Sequence, residues 1–494
     1  MKWFFIMNFD MECVKVSAMR HYLIISVLVC VLSGIGLCCA GEPGGIEFGP
    51  IISHDWTVDG SERWRILGPL VEKQTMADGR VLWAFRPFFS AVNNPAEHRS
   101  DHNVLWPVWI ERRVGDRMQW SFVCFTFWHD WNVNDPRSRY SLWVLPIYFQ
   151  GRDENKKPYV AVFPLGGTIR DFILWDELNF VLFPVMSHLR MKQVETTSFL
   201  WPIFASVKGA GVKRFRVFPF YGVSKRRTDY EKRFVLWPFW TSSRYGMSGS
   251  SGYGYILFPF FGHLKLEDQE SWFFIPPLFR FSKGARMNLI YCPWPLFQKS
   301  SGEVDKLYIW PFWGRKTRGS RKTSFLLWPL CLRSTHYEEN LECKRNMVLP
   351  VVFIDTKRAI CDDKSKRGDV VFRSVKVWPL LSSLRDGDRF YFHFPSLFPY
   401  KDFEVIERNY APLWTLYSHS RAGAVSEDEL LWGLFRYRRS ETMMDLSLFP
   451  VFSVGKNKER NGYEWSLLKG LVGYKRTSEA RSIRLFYIFT IGGG

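Results

Sequence analysis

The stretch Arg233-Phe234-Val235-Leu236-Trp237-Pro238-Phe239-Trp240 recurs along the chain in variant form, and this recurrence constrains the fold more than any other feature. Variants stand at Val104-Leu105-Trp106-Pro107-Val108-Trp109, Leu200-Trp201-Pro202-Ile203-Phe204, Leu257-Phe258-Pro259-Phe260-Phe261, Ile309-Trp310-Pro311-Phe312-Trp313 and Leu327-Trp328-Pro329-Leu330. Counted by proline, the middle copies fall at 146, 164, 184, 202, 219, 238, 259, 276, 293, 311, 329 and 350, with gaps of 17 to 21 residues. Self-similarity at a short, nearly fixed period marks a repeat architecture. It overrides the estimate of about three domains that length alone would give.

Each apolar run is short and rich in Phe, Trp, Tyr, Val and Ile, the side chains that suit a pleated surface. A helical repeat would need apolar spacings of three and four over ten or more residues, and a proline within each run would break it. Polar stretches suited to turns separate the runs, as at Lys208-Gly209-Ala210-Gly211 and Lys299-Ser300-Ser301-Gly302. The reading is all-β: an antiparallel meander of about twenty repeated strands, either open or closed into a large barrel. Proline cannot donate to a ladder. At the same level of nearly every strand it marks a shared bend or bulge, or a break that divides each repeat into two short strands. Consecutive apolar residues around it, as from Phe234 to Trp240, imply cover on both faces there.

Basic residues keep step with the repeat. Lys208, Lys225, Arg244 and Lys316 follow their prolines by five or six positions, which predicts one positively charged rim. Three segments look irregular: an insertion at 168–179 and charged loops at 335–346 and 355–369. From Trp432 the proline is often replaced by glycine, as in Leu431-Trp432-Gly433-Leu434, which reads as a terminal version of the unit.

The N-terminus reads as an export signal. Met19-Arg20-His21 precedes an apolar run from Tyr22 to Leu37, and Cys38-Cys39-Ala40 supplies small residues before Gly41. Residues 1–40 are therefore assigned as an 18-residue upstream extension plus leader, 41–60 as a flexible lead-in, and 61–494 as a single β-repeat domain. Cleavage after Ala40, lipidation at Cys38 or Cys39, and a retained anchor are the three fates of the leader. The chain carries a net charge of +19, about +18 without the leader. That excess favours anionic glycan or lipid head groups, and export argues against nucleic acid. Cys124, Cys292, Cys331, Cys343 and Cys361 are too few and too scattered for a disulfide framework; buried apolar cysteine is the default expectation, and one pair between adjacent repeats, such as Cys343–Cys361, is the alternative.

Two groups carry candidate chemistry. His98 and His102, beside Glu97 and Asp101, are the metal-ligand candidates. Asp171, Asp176 and Glu177, near Trp175, are the carboxylates that a glycoside-cleaving site would need. No phosphate loop, nucleophile elbow or Cys-x-x-Cys pair is present, and no cofactor is expected.

The motifs Tyr148-Phe149-Gln150-Gly151, Val162-Phe163-Pro164-Leu165 and Phe180-Val181-Leu182-Phe183-Pro184 resemble exported bacterial proteins with Leu-Trp/Phe-Pro-aromatic strand repeats. The resemblance spans nearly all of 60–494 and carries over no activity. Three functions are consistent with these features. They are a non-enzymatic cell-envelope scaffold or binding surface, an outer-membrane β-barrel for transport or assembly, and a polysaccharide-acting enzyme. The location expected is the periplasm or outer membrane, with membrane association.

Overall fold

Apolar proline turns and polar turns alternate along the chain, and that alternation folds it into one antiparallel meander. The computed structural model describes residues 47–227, 229–246, 251–360, 368–459, 461–478, 480–486 and 489–492. The expected leader at 1–40 and Cys361 lie outside them. The described residues hold 46 strands, from β1 (Glu47–Phe48) to β46 (Phe489–Ile491), and each pairs with its neighbours in sequence. No pairing joins the first described strand to the last.

The strand count is more than double the expected twenty, because proline does not interrupt a long strand: it reverses the chain. β21 (Tyr230–Val235) and β22 (Trp240–Tyr245) pair as a hairpin around Leu236-Trp237-Pro238-Phe239. The Trp237-Pro238 peptide is cis, and the Phe239 N–H donates to the Leu236 carbonyl at 2.8 Å. That is a type VI turn, the one class built around cis-proline. The same hydrogen bond closes Leu105–Val108, Leu200–Ile203 and Leu257–Phe260. Two strands of about six residues and two tight turns fill the 17–21 residue period.

Successive proline turns are hydrogen-bonded to one another. The Trp237 N–H donates to the Pro219 carbonyl and the Leu236 N–H to the Phe220 carbonyl, both at 2.7 Å. Trp201 does the same to Pro184, and Trp328 to Pro311. The ladder therefore runs on through the turns, and the missing proline donor is never called on. Leu105, Leu200, Leu236 and Leu327 take left-handed backbone, with φ between 43° and 50°, unfavourable for a side chain with a Cβ. Their N–H groups are held by the neighbouring turn in each case. In Leu431-Trp432-Gly433-Leu434 the proline position is filled by Gly433 at φ 94°, a conformation that glycine adopts freely.

Turns of a meander alternate between its two edges. All proline turns therefore lie on one edge, and the polar turns, such as Glu267-Asp268 and Gly319-Ser320, lie on the other. Across the strands a second device recurs: a glycine faces an aromatic ring. Gly222 is the register partner of Phe234, Gly314 of Phe325 and Gly151 of Tyr159. A Cβ added at Gly222 would sit 2.1 Å from Phe234 Cε1, so the ring occupies the space that a side chain would fill.

Several segments expected to be irregular are regular. The lead-in gives way at Glu47 to β1 and then to β2 (Ile52–Trp56), where Ser53 and Asp55 are the buried positions. A reading based on apolar alternation passes over a strand whose inward face is polar. The 168–179 insertion is the hairpin of β14 (Gly166–Phe172) and β15 (Trp175–Val181). The 335–346 loop is the end of the hairpin of β32 (Cys331–Glu338) and β33 (Leu341–Val348). Of 355–369, 355–359 belong to β34 (Val352–Ala359).

Apolar packing is local. Phe149, Ala161, Ile169 and Phe180 form a buried cluster with Trp143 and Phe172 against it. Elsewhere most apolar side chains keep solvent contact, and buried polar and charged side chains outnumber buried apolar ones among the described residues. Most of the sheet is thus a single layer.

Candidate functional site: two unlike edges and an ionic seam

The repeat segregates side chains along each strand. At the proline edge the turn residues are largely exposed: Trp237 by 52%, Phe239 by 56%, Phe260 by 66% and Phe312 by 61%. Leu236, Trp328 and Leu330 continue the same row. Neighbouring rings touch along it, with centroids of Phe218 and Trp237 at 5.4 Å and of Trp310 and Trp328 at 6.0 Å. At the opposite edge, Lys208, Lys225 and Arg244 are the next-to-last residues of β18 (Phe204–Gly209), β20 (Tyr221–Arg226) and β22. The expected basic rim is thus a strand length away from the aromatic one.

A different arrangement joins the first strands of the meander to β39 (Val425–Leu430) and β40 (Phe435–Arg439), the latter six strands short of the last described one. β3 (Glu62–Ile66) alternates Arg63 and Arg65, and β39 alternates Glu427 and Glu429, so each strand aims two like charges at one face. Arg63 donates from Nε and Nη2 to the two Asp55 oxygens at 2.9 and 3.2 Å and reaches Glu427 Oε1 at 3.4 Å. Arg65 is paired with Glu429. Arg436, from β40, contacts Asp55, Glu427 and, at 3.1 Å, Glu47. Next to it, Arg86 donates to Glu72 Oε2 and to the Arg408 carbonyl, both at 2.7 Å.

Burial by itself would raise these carboxyls. The guanidinium groups win: Arg63, Arg436 and Arg65 hold Asp55 far below the usual carboxylate range, and Arg65, Arg63 and Arg436 bring Glu429 down to about 2. A short helix at Glu404–Asn409 closes the seam, with Asn409 accepting from the Ser90 hydroxyl. Burial, reinforced by the Asp402 carboxylate, pushes Glu407 up to about 8. A cavity of about 420 Å³ opens here, walled by Arg63, Arg86, Tyr391, Glu407, Glu429 and Trp432 among others. Arg63, Arg86 and Glu429 in its wall are already paired, with Asp55, Glu72 and Arg65 in turn, which makes the seam a clasp.

No family model and no curated protein matches the chain.

The sequence candidates fall elsewhere. His98 is exposed in the turn before β7 (Arg99–Val104), and His102 lies within that strand with Nδ1 3.5 Å from Glu111 Oε1. Four positions along extended backbone span about 13 Å, so the two histidines are not held as a ligand pair. Asp171 turns to Arg139 at 3.3 Å, on one flank of the β14–β15 hairpin. Glu177 turns to Arg190 at 2.9 Å on the other flank, and Asp176 accepts from the Lys192 N–H. Burial raises Asp171, whereas the Asn179 hydrogen bond and two arginines lower Glu177. A cavity of about 290 Å³ beside this hairpin is lined by Gly167, Thr168, Asn179, Met186 and His188 and by none of the three carboxylates.

The seam residues are not found by motif or apolar periodicity. The one signal that points to them is Arg-x-Arg at 63–65 and Glu-x-Glu at 427–429, two period-2 pairs of opposite sign 364 residues apart.

Proposed function

We propose that this chain is a non-enzymatic cell-envelope protein that serves as a scaffold and binding surface, seated on lipid by its proline-turn edge. The observation that carries the reading is the concentration of exposed Trp, Phe and Leu along that edge; Leu174 and Trp175, at the tip of the β14–β15 hairpin, are the main exposed apolar group on the other. Contiguous exposed apolar surface marks an interaction site, and Trp in particular favours the membrane–water boundary. The apolar band from Val235 to Trp240 has the depth of an element lying at the head-group boundary, on the order of 5–10 Å.

The barrel reading is supported less well. A transmembrane strand needs about 9–11 residues, whereas β21 and β22 have 6 each. Among the described residues no helix is long and apolar enough to cross a membrane, which does not bear on strands.

Co-sedimentation with vesicles of neutral phosphatidylcholine tests the proposal. The wild type is expected to pellet with them, and a variant carrying Trp201→Ser, Trp237→Ser and Phe239→Ser is expected to bind several-fold less while keeping its far-UV spectrum. Equal binding by the two proteins removes the lipid-seating reading. Heat-modifiable migration in detergent would favour the barrel instead.

A further inference from the structure

The strands of the repeat are about six residues long, but β32 and β33 have eight each. Their register runs Thr335 with Lys344, His336 with Cys343, Tyr337 with Glu342 and Glu338 with Leu341. The preceding strand, β31 (Arg321–Leu326), pairs with β32 only as far as Thr335. The hairpin therefore projects past β31 while β33 stays paired with β34 along its whole length, and the part beyond β31 carries His336 and Glu338 on one face with Cys343 directly across from His336. Cross-strand partners share a face, and so do residues two apart.

These three side chains converge. His336 Nε2 lies 3.0 Å from Glu338 Oε1, and Cys343 Sγ lies 3.9 Å from Glu338 Oε2. One ligand atom from each residue falls within 4.8 Å of the other two. Ligand atoms around a tetrahedral zinc, bound at about 2.0–2.3 Å, are about 3.3–3.7 Å apart, so contraction by roughly 1 Å would complete the set. The two outer ligands are solvent-facing: His336 and Glu338 are 42% and 59% exposed, while Cys343 is buried beneath them.

We propose that His336, Glu338 and Cys343 form a divalent-metal site selective for zinc, with the fourth position open to solvent. The donor set of imidazole, carboxylate and thiolate suits zinc and disfavours calcium and magnesium, which take oxygen ligands. Charge balances as well, since thiolate and carboxylate together neutralise a 2+ ion. The thiol proton leaves to solvent as the Sγ–metal bond forms. Lys357, the register partner of Cys343 on β34, is exposed and free to swing away from the incoming cation.

Titration of the EDTA-treated full chain with Zn²⁺ and with Co²⁺ tests the site. One equivalent of each ion is expected to bind, with Co²⁺ giving a thiolate-to-cobalt charge-transfer band. Cys343→Ser should abolish that band. His336→Ala and Glu338→Gln, both at exposed positions that do not threaten folding, should each weaken Zn²⁺ by at least about 10-fold, the size expected even for outer-shell partners. A band that survives Cys343→Ser, unchanged affinity in both exposed variants, or no Zn²⁺ binding by the wild type overturns the proposal.

Discussion

The seam and the middle of the meander use the same strand unit and solve opposite problems. In the middle, from β17 (Val194–Phe199) to β31, each hairpin touches mainly the hairpins before and after it. Stability there is local: ladder hydrogen bonds, ring-over-glycine packing and the bonds between successive proline turns. At the seam, strands more than 350 residues apart meet through buried arginines and carboxylates with few apolar side chains between them. The comparison teaches that the repeat specifies the sheet, while charge complementarity specifies which distant parts of that sheet are brought together.

That contrast is easiest to break at Arg436. Removing one member of a buried ion network leaves its partners charged and unsolvated, which typically costs about 3–5 kcal/mol. Arg436→Ala leaves Glu427 to Arg63 alone and Asp55 to Arg63 and Arg65, so denaturant unfolding should show a loss approaching that size, larger than any single substitution in the middle strands should cause. The seam also fixes the sign of the acid response. Asp55 and Glu429 have folded-state pKa values below their unfolded ones, so their contribution is present above pH ~4.5 and lost as pH falls towards about 2. A melting temperature that falls steeply below pH 4 is expected, with a shallower fall in Glu429→Gln. An acid profile identical in the two proteins would place the acid-sensitive groups outside the seam.

Glu407 responds the other way. Its folded pKa is raised to about 8, so it stabilises the fold fully only below its unfolded value and loses that contribution as pH rises through 8. Glu407→Gln should therefore be more stable than wild type at pH 9, with the gap closing at pH 4. A deficit at pH 9 would mean that the carboxylate is held ionised.

In the middle of the sheet the sharper probe is Gly222→Ala. Phe234 must shift to admit the new methyl, and overpacking of this kind costs about 1–3 kcal/mol. Pairing that substitution with Phe234→Leu should restore part of the loss, because the smaller side chain vacates the contested space. No recovery in the double variant would assign the cost to the backbone instead of the ring.

These regions also differ in how far the sequence betrays them. The period, the strand class, the antiparallel order and the basic edge follow from proline spacing and from lysines placed at a fixed offset. What spacing cannot settle is whether Pro238 and its counterparts bend a strand or reverse it, because both use the same apolar run. The turn type decides that, through a cis peptide that composition does not reveal. The seam is less legible still. Asp55 and Arg63 look like surface residues in any scheme that equates burial with apolarity, and nothing local to Glu427 points to a partner 364 residues away. The His336–Glu338–Cys343 group is hidden for a related reason: it is made by hairpin register within a segment that reads as a charged loop.

The smallest effect supplies the control. Arg233 and Glu231 form an ion pair two residues apart on β21, with the arginine side chain 54% exposed. Such a pair competes with water and with side-chain entropy, so Arg233→Ala should change stability by no more than about 0.5 kcal/mol. The same atom types therefore predict a cost several-fold lower than in the seam, and the only variable is solvent. Should Arg233→Ala prove as damaging as Arg436→Ala, the single-layer description of the middle strands fails, because that cost would require a second layer of protein over β21.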